Sequence, residues 1–576
     1  MPICIVDGGM HEVALPTWAL NWLQLRELTC FNYEKLPKVT LSALTETGKA
    51  GSTIPVPMQR SYTGTMPVIP SALADIPCAD LGMSGVLKEL NATLGTSYTL
   101  DNPILPSILE SFIRQDYDFG TLYANLRPYW YDLTSVESIH KSWNQDQKMR
   151  QKIVTNNRLP NGNIPPRHIW DLYANRVVPY WVANKIWPRA ISHAWVSDEE
   201  RISVWTPING FEWPVPIPKD VDLNLVRIEM LNLGAEYVWL DVLCLRQEGG
   251  KREDLRREEW KVDVPTIGAI YRNGTDTVVY YLSGLGRPFC FKSGDLESDR
   301  CWFRRAWTLQ EVSSYYIIGG MTGTYGMDEY MRKIVDERLQ SLKYVRGWNV
   351  LDILLEMQNR VSTKPLDKVA GLVYLLFQKS IPIYDETQSE EEAWDLLVDV
   401  MAMRHHRDLL FFYPEPGNGH RHWQPSWKQV MTMPHLPQTR SALFSAVTWP
   451  KETDANWCEC TCIVWGIVRG LGEVSNTGIP RKGKLMIKDL FGTSHTFKVI
   501  TDHAYPIPDG SYTLIGAGYF SVDILEHWVV GHWQQRWDHW HGTFEKVSVI
   551  RIADPEQDWN PAQHYIATLY HRMFLC

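Results

Sequence analysis

Glu311 closes the segment RRAWTLQE, in which Arg304, Trp307 and Glu311 stand at spacings of three and four. On a helix those positions share one face, where a guanidinium can hold a carboxylate ionised and an indole can wall it from water. The same spacing also describes an ordinary helix salt bridge, worth a few tenths of a kcal/mol. Asp241 interrupts the apolar run YVWLDVLCL at 237–245. An unpaired carboxylate is costly there, so it must find donors or lie at a strand end facing a crevice, in a structural or a catalytic role. Cys244 has no assigned histidine base and reads as a buried thiol. Cys458, Cys460 and Cys462 alternate, which on a strand aims all three at one face. Zinc usually wants a gap of about two to four residues and a fourth ligand, so the pattern reads as strand packing. His527, His532, His539 and His541 crowd the Trp-rich segment HWVVGHWQQRWDHWHG, where aromatic packing with exposed imidazoles is preferred to a metal site. No metal ligands are assigned. No G-x-G-x-x-G, phosphate loop, H-E-x-x-H or G-x-S-x-G occurs in a confirming context, which sets aside the usual dehydrogenase, kinase, zincin and hydrolase readings.

The elements that must position these residues are legible from residue 187 onward. Residues 189–195 (RAISHAW), 237–245, 277–283 (TVVYYLS) and 315–318 (YYII) read as strands. Between them lie helical patterns in DLNLVRIEMLNLGAE, in EDLRREEWKVDVPTIGAIYRN with a break at Pro265, and over 299–313 as one amphipathic helix. That alternation predicts an open, doubly wound parallel sheet, whose ligands belong outside the carboxyl ends of the strands near Trp195, Asp241 and Ser283. Residues 1–185 read as mainly helical, 186–320 as the α/β unit and 321–414 as a helical extension with STKPLDK between helices. Residues 415–576 read as a β-rich, Trp-rich domain forming a small sandwich or barrel.

A chain of 576 residues exceeds one hydrophobic core and predicts three to four domains. The 57 Lys and Arg against 66 Asp and Glu give a net charge of -9, which supplies no global field for nucleic acid or an anionic membrane. No window offers a membrane span, no secretory signal is seen, and ten scattered cysteines suit a reducing compartment. A cytoplasmic protein without a nucleic-acid partner is expected. The 26 Trp and 26 Tyr either build rigid cores or line pockets that stack planar ligands.

Four blocks in order, ISHAW (191–195), YVWLDVLCLRQ (237–247), a charged helix ending IGAIYRN (267–273) and RRAWTLQEV (304–312), resemble the HET domain of fungal heterokaryon incompatibility proteins. TKPLDKVAGLVYLL (363–376) and WQPSW (423–427) are similar to blocks that follow that domain in many members, so the resemblance spans roughly 186–430. HET domains are regarded as relatives of Toll/interleukin-1 receptor (TIR) domains, which implies a flavodoxin-like core. Some TIR domains cleave NAD with a helix Glu that contacts the ribose next to nicotinamide. The plant TIR block Trp-Cys-Leu-x-Glu-Leu is similar to Trp307–Val312, and this nominates Glu311 as the catalytic carboxylate; Asp241 stays a second catalytic candidate from its place in the apolar run.

Residue type then suggests a nucleotide set of Ser192, Trp195, Arg304, Arg305 and Trp307 around Glu311. In that set Trp195 or Trp307 stacks a ring and Arg304 or Arg305 meets the pyrophosphate. NAD is then a substrate and no cofactor is required. The function implied is non-self recognition or programmed cell death. Two alternatives stay open: a non-catalytic module that signals by homo-oligomerisation or through a protein partner, and a small-molecule enzyme of specialised metabolism. The chain departs from the family pattern at Val196 and Arg246, which keeps the second alternative open.

Overall fold

The computed structural model describes residues 36–133, 137–183, 186–273, 277–323, 329–437, 447–448, 456–473, 480–516, 527–535, 541–552 and 569–576. Its centre is a mixed six-stranded sheet built from β1 (His168–Asp171), β2 (Arg176–Pro179), β3 (Arg189–His193), β4 (Tyr237–Trp239), β5 (Val278–Tyr281) and β6 (Tyr316–Ile318). The spatial order is β6-β5-β3-β4-β1-β2. β6, β5, β3 and β4 run parallel, while β1 joins β4 and β2 joins β1 antiparallel. Every residue of β3, β4 and β5 is buried, as expected of parallel strands covered on both faces. The sheet takes its two antiparallel strands from 168–179, on the N-terminal side of the expected boundary at 186.

The crossover from β3 to β4 uses α1 (Leu223–Asn232), started by Asp222, whose carboxylate accepts from the Asn224 amide at 2.9 Å. The crossover from β4 to β5 begins with the single turn α2 (Asp241–Cys244). It continues through α3 (Glu253–Asp263) and α4 (Ile267–Asn273), interrupted around Pro265 as the sequence predicts. The strand expected over 237–245 therefore stops at Trp239, and Asp241 stands just past its carboxyl end.

The helix expected over 299–313 does not form. Only two 3₁₀ turns occur there, Trp302–Arg304 and Trp307–Leu309, separated by Arg305 in an extended conformation with ψ 135°. The carbonyls a helix would need are taken by other groups. Across a parallel bridge at Arg305 the Val361 amide donates to the Arg304 carbonyl and the Val361 carbonyl accepts from the Ala306 amide, while the Thr308 hydroxyl donates to the carbonyls of Trp302 and Arg305. The Arg360 guanidinium also donates to the Arg305 carbonyl, at 2.8 Å. Propensity loses here to tertiary hydrogen bonding.

Residues 329–412 supply α5 (Glu329–Leu342) and α6 (Val350–Gln358) and, where the sequence reads one helix over EEAWDLLVDVMAMRHH, two helices, α8 (Glu390–Val400) and α9 (Met403–Phe412), parted by extended Met401 and Ala402. The same stretch supplies α7 (Leu366–Leu376), which the sequence reading did not separate. α7 meets α4 so closely that a Cβ on Gly268 would fall 2.3 Å from the Tyr374 ring. One continuous apolar core runs from Leu41 through these helices. Ahead of the central sheet, residues 36–152 hold helices such as Cys78–Leu94 and Leu105–Arg114 and an antiparallel pair, Val39–Ser42 with Ser61–Gly64.

The C-terminal region is β-rich: β7 (Trp457–Arg469), β8 (Arg481–Lys488), β9 (Ser494–Thr501), β10 (Gly510–Gly516), β11 (His527–Gln535), β12 (His541–Ile552) and β13 (Leu569–Leu575). Pairing runs β7-β8-β9-β12-β11-β10 and returns to β7, closing a barrel around its own interior of Val468, Leu485, Phe497, Leu514, Val530 and Ile550. Among the described residues no helix is long and apolar enough to cross a membrane.

Candidate functional site

β3 ends in Ser192 and His193, and each side chain holds a carboxylate delivered by a different segment. The Ser192 hydroxyl donates to Glu311 Oε2 at 2.5 Å and accepts from the Trp302 indole N–H at 2.7 Å. Trp302 is fully buried against Tyr280 of β5, with ring centroids 4.9 Å apart. The Tyr280 hydroxyl accepts from the Ser313 amide at 2.7 Å and donates to the Glu311 backbone carbonyl at 3.4 Å. Tyr271 of α4 donates to the Ile191 carbonyl at 3.0 Å and its hydroxyl also reaches the Glu311 carboxylate. Part of Glu311 still reaches solvent. Burial pushes its carboxyl up to about 7; the Asp241 charge adds to this, while the Ser192 hydrogen bond and His193 oppose it.

His193 Nε2 lies 2.9 Å from Asp241 Oδ1, and the Trp195 indole donates to Asp241 Oδ2 at 3.2 Å. The Val242 amide donates to the same carboxylate at 2.7 Å. Burial alone would raise the Asp241 pKa, but His193 and these donors outweigh it and hold the carboxyl below the usual range. Burial alone would lower the His193 pKa, but Asp241 outweighs it and the imidazole is raised. The pair favours the charged forms, imidazolium against carboxylate, and His193 Nδ1 has a second acceptor in the Ala194 carbonyl at 3.3 Å. Trp195 stacks on His193 with an interplanar angle of 21°, and the Arg201 guanidinium covers the Trp195 ring at 5.1 Å.

The structure thus gathers Glu311, Asp241, Ser192 and Trp195 at the carboxyl ends of adjacent strands. It directs Arg304 to Asp299 at 3.1 Å and sets Trp307 against Tyr384, centroids 6.4 Å apart, with Asp367 in hydrogen-bonding reach. The face predicted to join Arg304, Trp307 and Glu311 is lost with the helix. Arg305 stays within the electrostatic field of Glu311, and burial lowers its pKa. His193, Trp302, Tyr271 and Tyr280 were not singled out from sequence. The polar Ser-His pair ending an apolar strand was the available sign for His193.

The remaining candidates lie apart. Burial pushes the Cys244 thiol up to about 12, which removes its nucleophilic form. Cys458, Cys460 and Cys462 share one buried face of β7, where burial also raises the Cys462 thiol. Among the described residues no group of three or more His, Cys, Asp or Glu could hold a metal ion. His527 is buried and driven down to about 4 by burial, while His532 sits against Tyr512. His539 and the His541 side chain lie outside the described residues. A shallow apolar cleft opens elsewhere, between Pro265, Val369, Val373, Ile383 and Tyr384.

Residues 189–293 match the family model described as Heterokaryon incompatibility protein (HET). The match takes in Ser192, His193, Trp195 and Asp241 and ends before Trp302. No curated protein and no solved structure is significantly similar to the chain.

Proposed function

We propose that this chain, whose residues 189–293 match the heterokaryon incompatibility family model, acts in non-self recognition leading to cell death, by hydrolysing the N-glycosidic bond of NAD or a related nucleotide at the Glu311–Asp241 cluster. The observation that carries the reading is the juxtaposition of two carboxylates on consecutive residues of one strand end, Glu311 on Ser192 and Asp241 on His193. The strand positions support it too. Numbered by chain order, the parallel strands lie 2-1-3-4, the flavodoxin-like order, and Ser192 of β3 pairs with Tyr280 of β5 where that order reverses. Ligands of such sheets bind outside the strand ends at this switch point.

In the reaction, the bond between ribose C1′ and the pyridinium nitrogen breaks, and its electron pair leaves with nicotinamide and neutralises the ring. The positive charge left on C1′ and the ring oxygen faces the ionised Asp241. Water adds to C1′ and its proton passes to Glu311, whose carboxyl titrates near the pH of the reaction. Trp195 offers the nicotinamide ring the indole face that Arg201 covers, and Arg305 offers a cation for the pyrophosphate. The test is nicotinamide release from NAD by the purified full chain, compared with Glu311→Gln and Asp241→Asn. Unchanged turnover in both variants would falsify the site.

The apolar cleft at Pro265 and Tyr384 supports a second reading, a small-molecule enzyme of specialised metabolism whose substrate is apolar or aromatic. Thermal shift against a metabolite panel, cancelled by Val373→Trp, separates it from the first. In the third reading, assembly without chemistry, self-association rises with concentration and no nucleotide is lost.

A further inference from the structure

The outer wall of the barrel carries a concentration of positive charge that the net charge of -9 conceals. Along β8, Lys482, Lys484 and Lys488 are exposed and alternate with buried Leu485 and Ile487, so they share one face with Met486. The register sets Arg469 of β7 directly opposite Lys484, and Lys484 directly opposite Lys498 of β9. Three exposed cations therefore form a row across three strands. Like charges opposed in this way destabilise a sheet. None of the five basic residues on this wall has an ion-pair partner among the described residues. The nearby acids are committed elsewhere: Asp489 to His495 at 3.0 Å, and Asp509 to the Gly470 amide at 2.8 Å.

Beside this row stands an apolar projection. Leu490 and Phe491 occupy the β8–β9 turn and are 69% and 77% exposed. The turn is firmly built. Asp489 Oδ1 accepts from the Phe491 and Thr493 amides at 2.9 and 2.8 Å, and Gly492 supplies a φ of +87°. Trp465 and Ile467 on β7 extend the patch, Trp465 being 75% exposed.

We propose that this wall docks the protein on an anionic lipid bilayer, Leu490 and Phe491 entering the interface and the lysine face meeting the headgroups. Charge complementarity chooses the surface, because a row of opposed cations is relieved only by a sheet of negative charge. The aliphatic share of the patch, Leu490, Ile467 and Met486, chooses lipid over nucleic acid, since aliphatic side chains gain from acyl chains and nothing from base stacking. The docking is peripheral and independent of the chemistry proposed at Glu311.

The experiment is co-sedimentation of the full chain with phosphatidylcholine vesicles, with and without phosphatidylserine. Sedimentation is expected with the phosphatidylserine vesicles alone, and it should weaken as salt is raised. Lys484→Ser with Lys488→Ser should cut the partition coefficient roughly twenty-fivefold, at about fivefold per lysine. Leu490→Asp with Phe491→Asp should abolish it at moderate salt, and both pairs should melt with the parent because the sites are exposed. Equal binding to both vesicles, no binding, or variants that sediment like the parent would overturn the proposal. So would retention of single-stranded oligonucleotide, lost in the lysine variant, without vesicle binding.

Discussion

Two glutamates flank the central sheet through adjacent tyrosines of β5, and they are treated in opposite ways. Tyr281 points to one face and donates to Glu229 at 2.8 Å, while Gln59 and the Gly320 amide complete that carboxylate at 2.7 and 2.8 Å. Glu229 is 2% exposed and joins three segments distant in sequence. Tyr280 points to the other face and touches only the backbone of Glu311, whose carboxylate is left to Ser192 and Tyr271 with part of it reaching solvent. A carboxylate saturated by neutral donors is a tie in the fold. One short of donors, beside a second carboxylate at a strand end, keeps capacity for a substrate.

Substitution should widen that contrast. Glu229→Leu strips the acceptor from three buried donors and is expected to cost about 4 kcal/mol in urea denaturation, with nicotinamide release per folded molecule unchanged. A loss under about 1 kcal/mol would erase the distinction.

Glu311→Gln should act in the other direction. The native Glu311 titrates near about 7 against an ordinary 4.5, so between those values the folded chain keeps a proton that the unfolded chain has released. Stability then falls as pH rises through that window and levels off above it. The Gln variant should lack this slope and gain about 2–3 kcal/mol over wild type at pH 8 relative to pH 4. Parallel stability curves would show that Glu311 is as well supplied as Glu229.

Asp241→Asn removes the partner of a raised histidine. Support from His193 is fully present below its unfolded value of 6.5 and disappears as pH rises through the higher folded value. Support from Asp241 is present above 3.8 and is lost as pH falls through its lower folded value. A destabilisation of about 2 kcal/mol at pH 6 that shrinks in alkali is expected from thermal melts at stepped pH. The smallest effect belongs to Arg304→Ala, which breaks a half-exposed pair with Asp299: within about 0.5 kcal/mol, and no change in nicotinamide release. A large loss of turnover there would return Arg304 to the site.

The four parallel strands were legible because their apolar runs are short, β-branched and bounded by turn residues, and because helical periodicity separates them. The break at Pro265 was legible for the same local reason. What escaped was non-local. Arg304, Trp307 and Glu311 have helical spacing, yet Thr308, Arg360 and Val361 capture the carbonyls such a helix requires, and two of those three lie about 50 residues downstream. Glu311 and Asp241 were found as carboxylates in unusual settings, Trp195 by its place at a strand end, and Ser192 by its residue type beside it. Their true partners depend on which strand ends lie side by side, which residue types alone do not state. Net charge failed in the same way: a total of -9 says nothing about Arg469, Lys484 and Lys498 aligned across three strands.

The bridge between Arg305 and Val361 also governs how the molecule can be cut. A fragment trimmed to 189–293 would keep Ser192 and Asp241 but omit the acid opposite them. One extended to 320 would regain Glu311 while losing Arg360 and Val361, the brace that shapes its loop. The cluster is therefore not portable: the α/β sheet and the helices behind it must be inherited, expressed and inactivated as one piece.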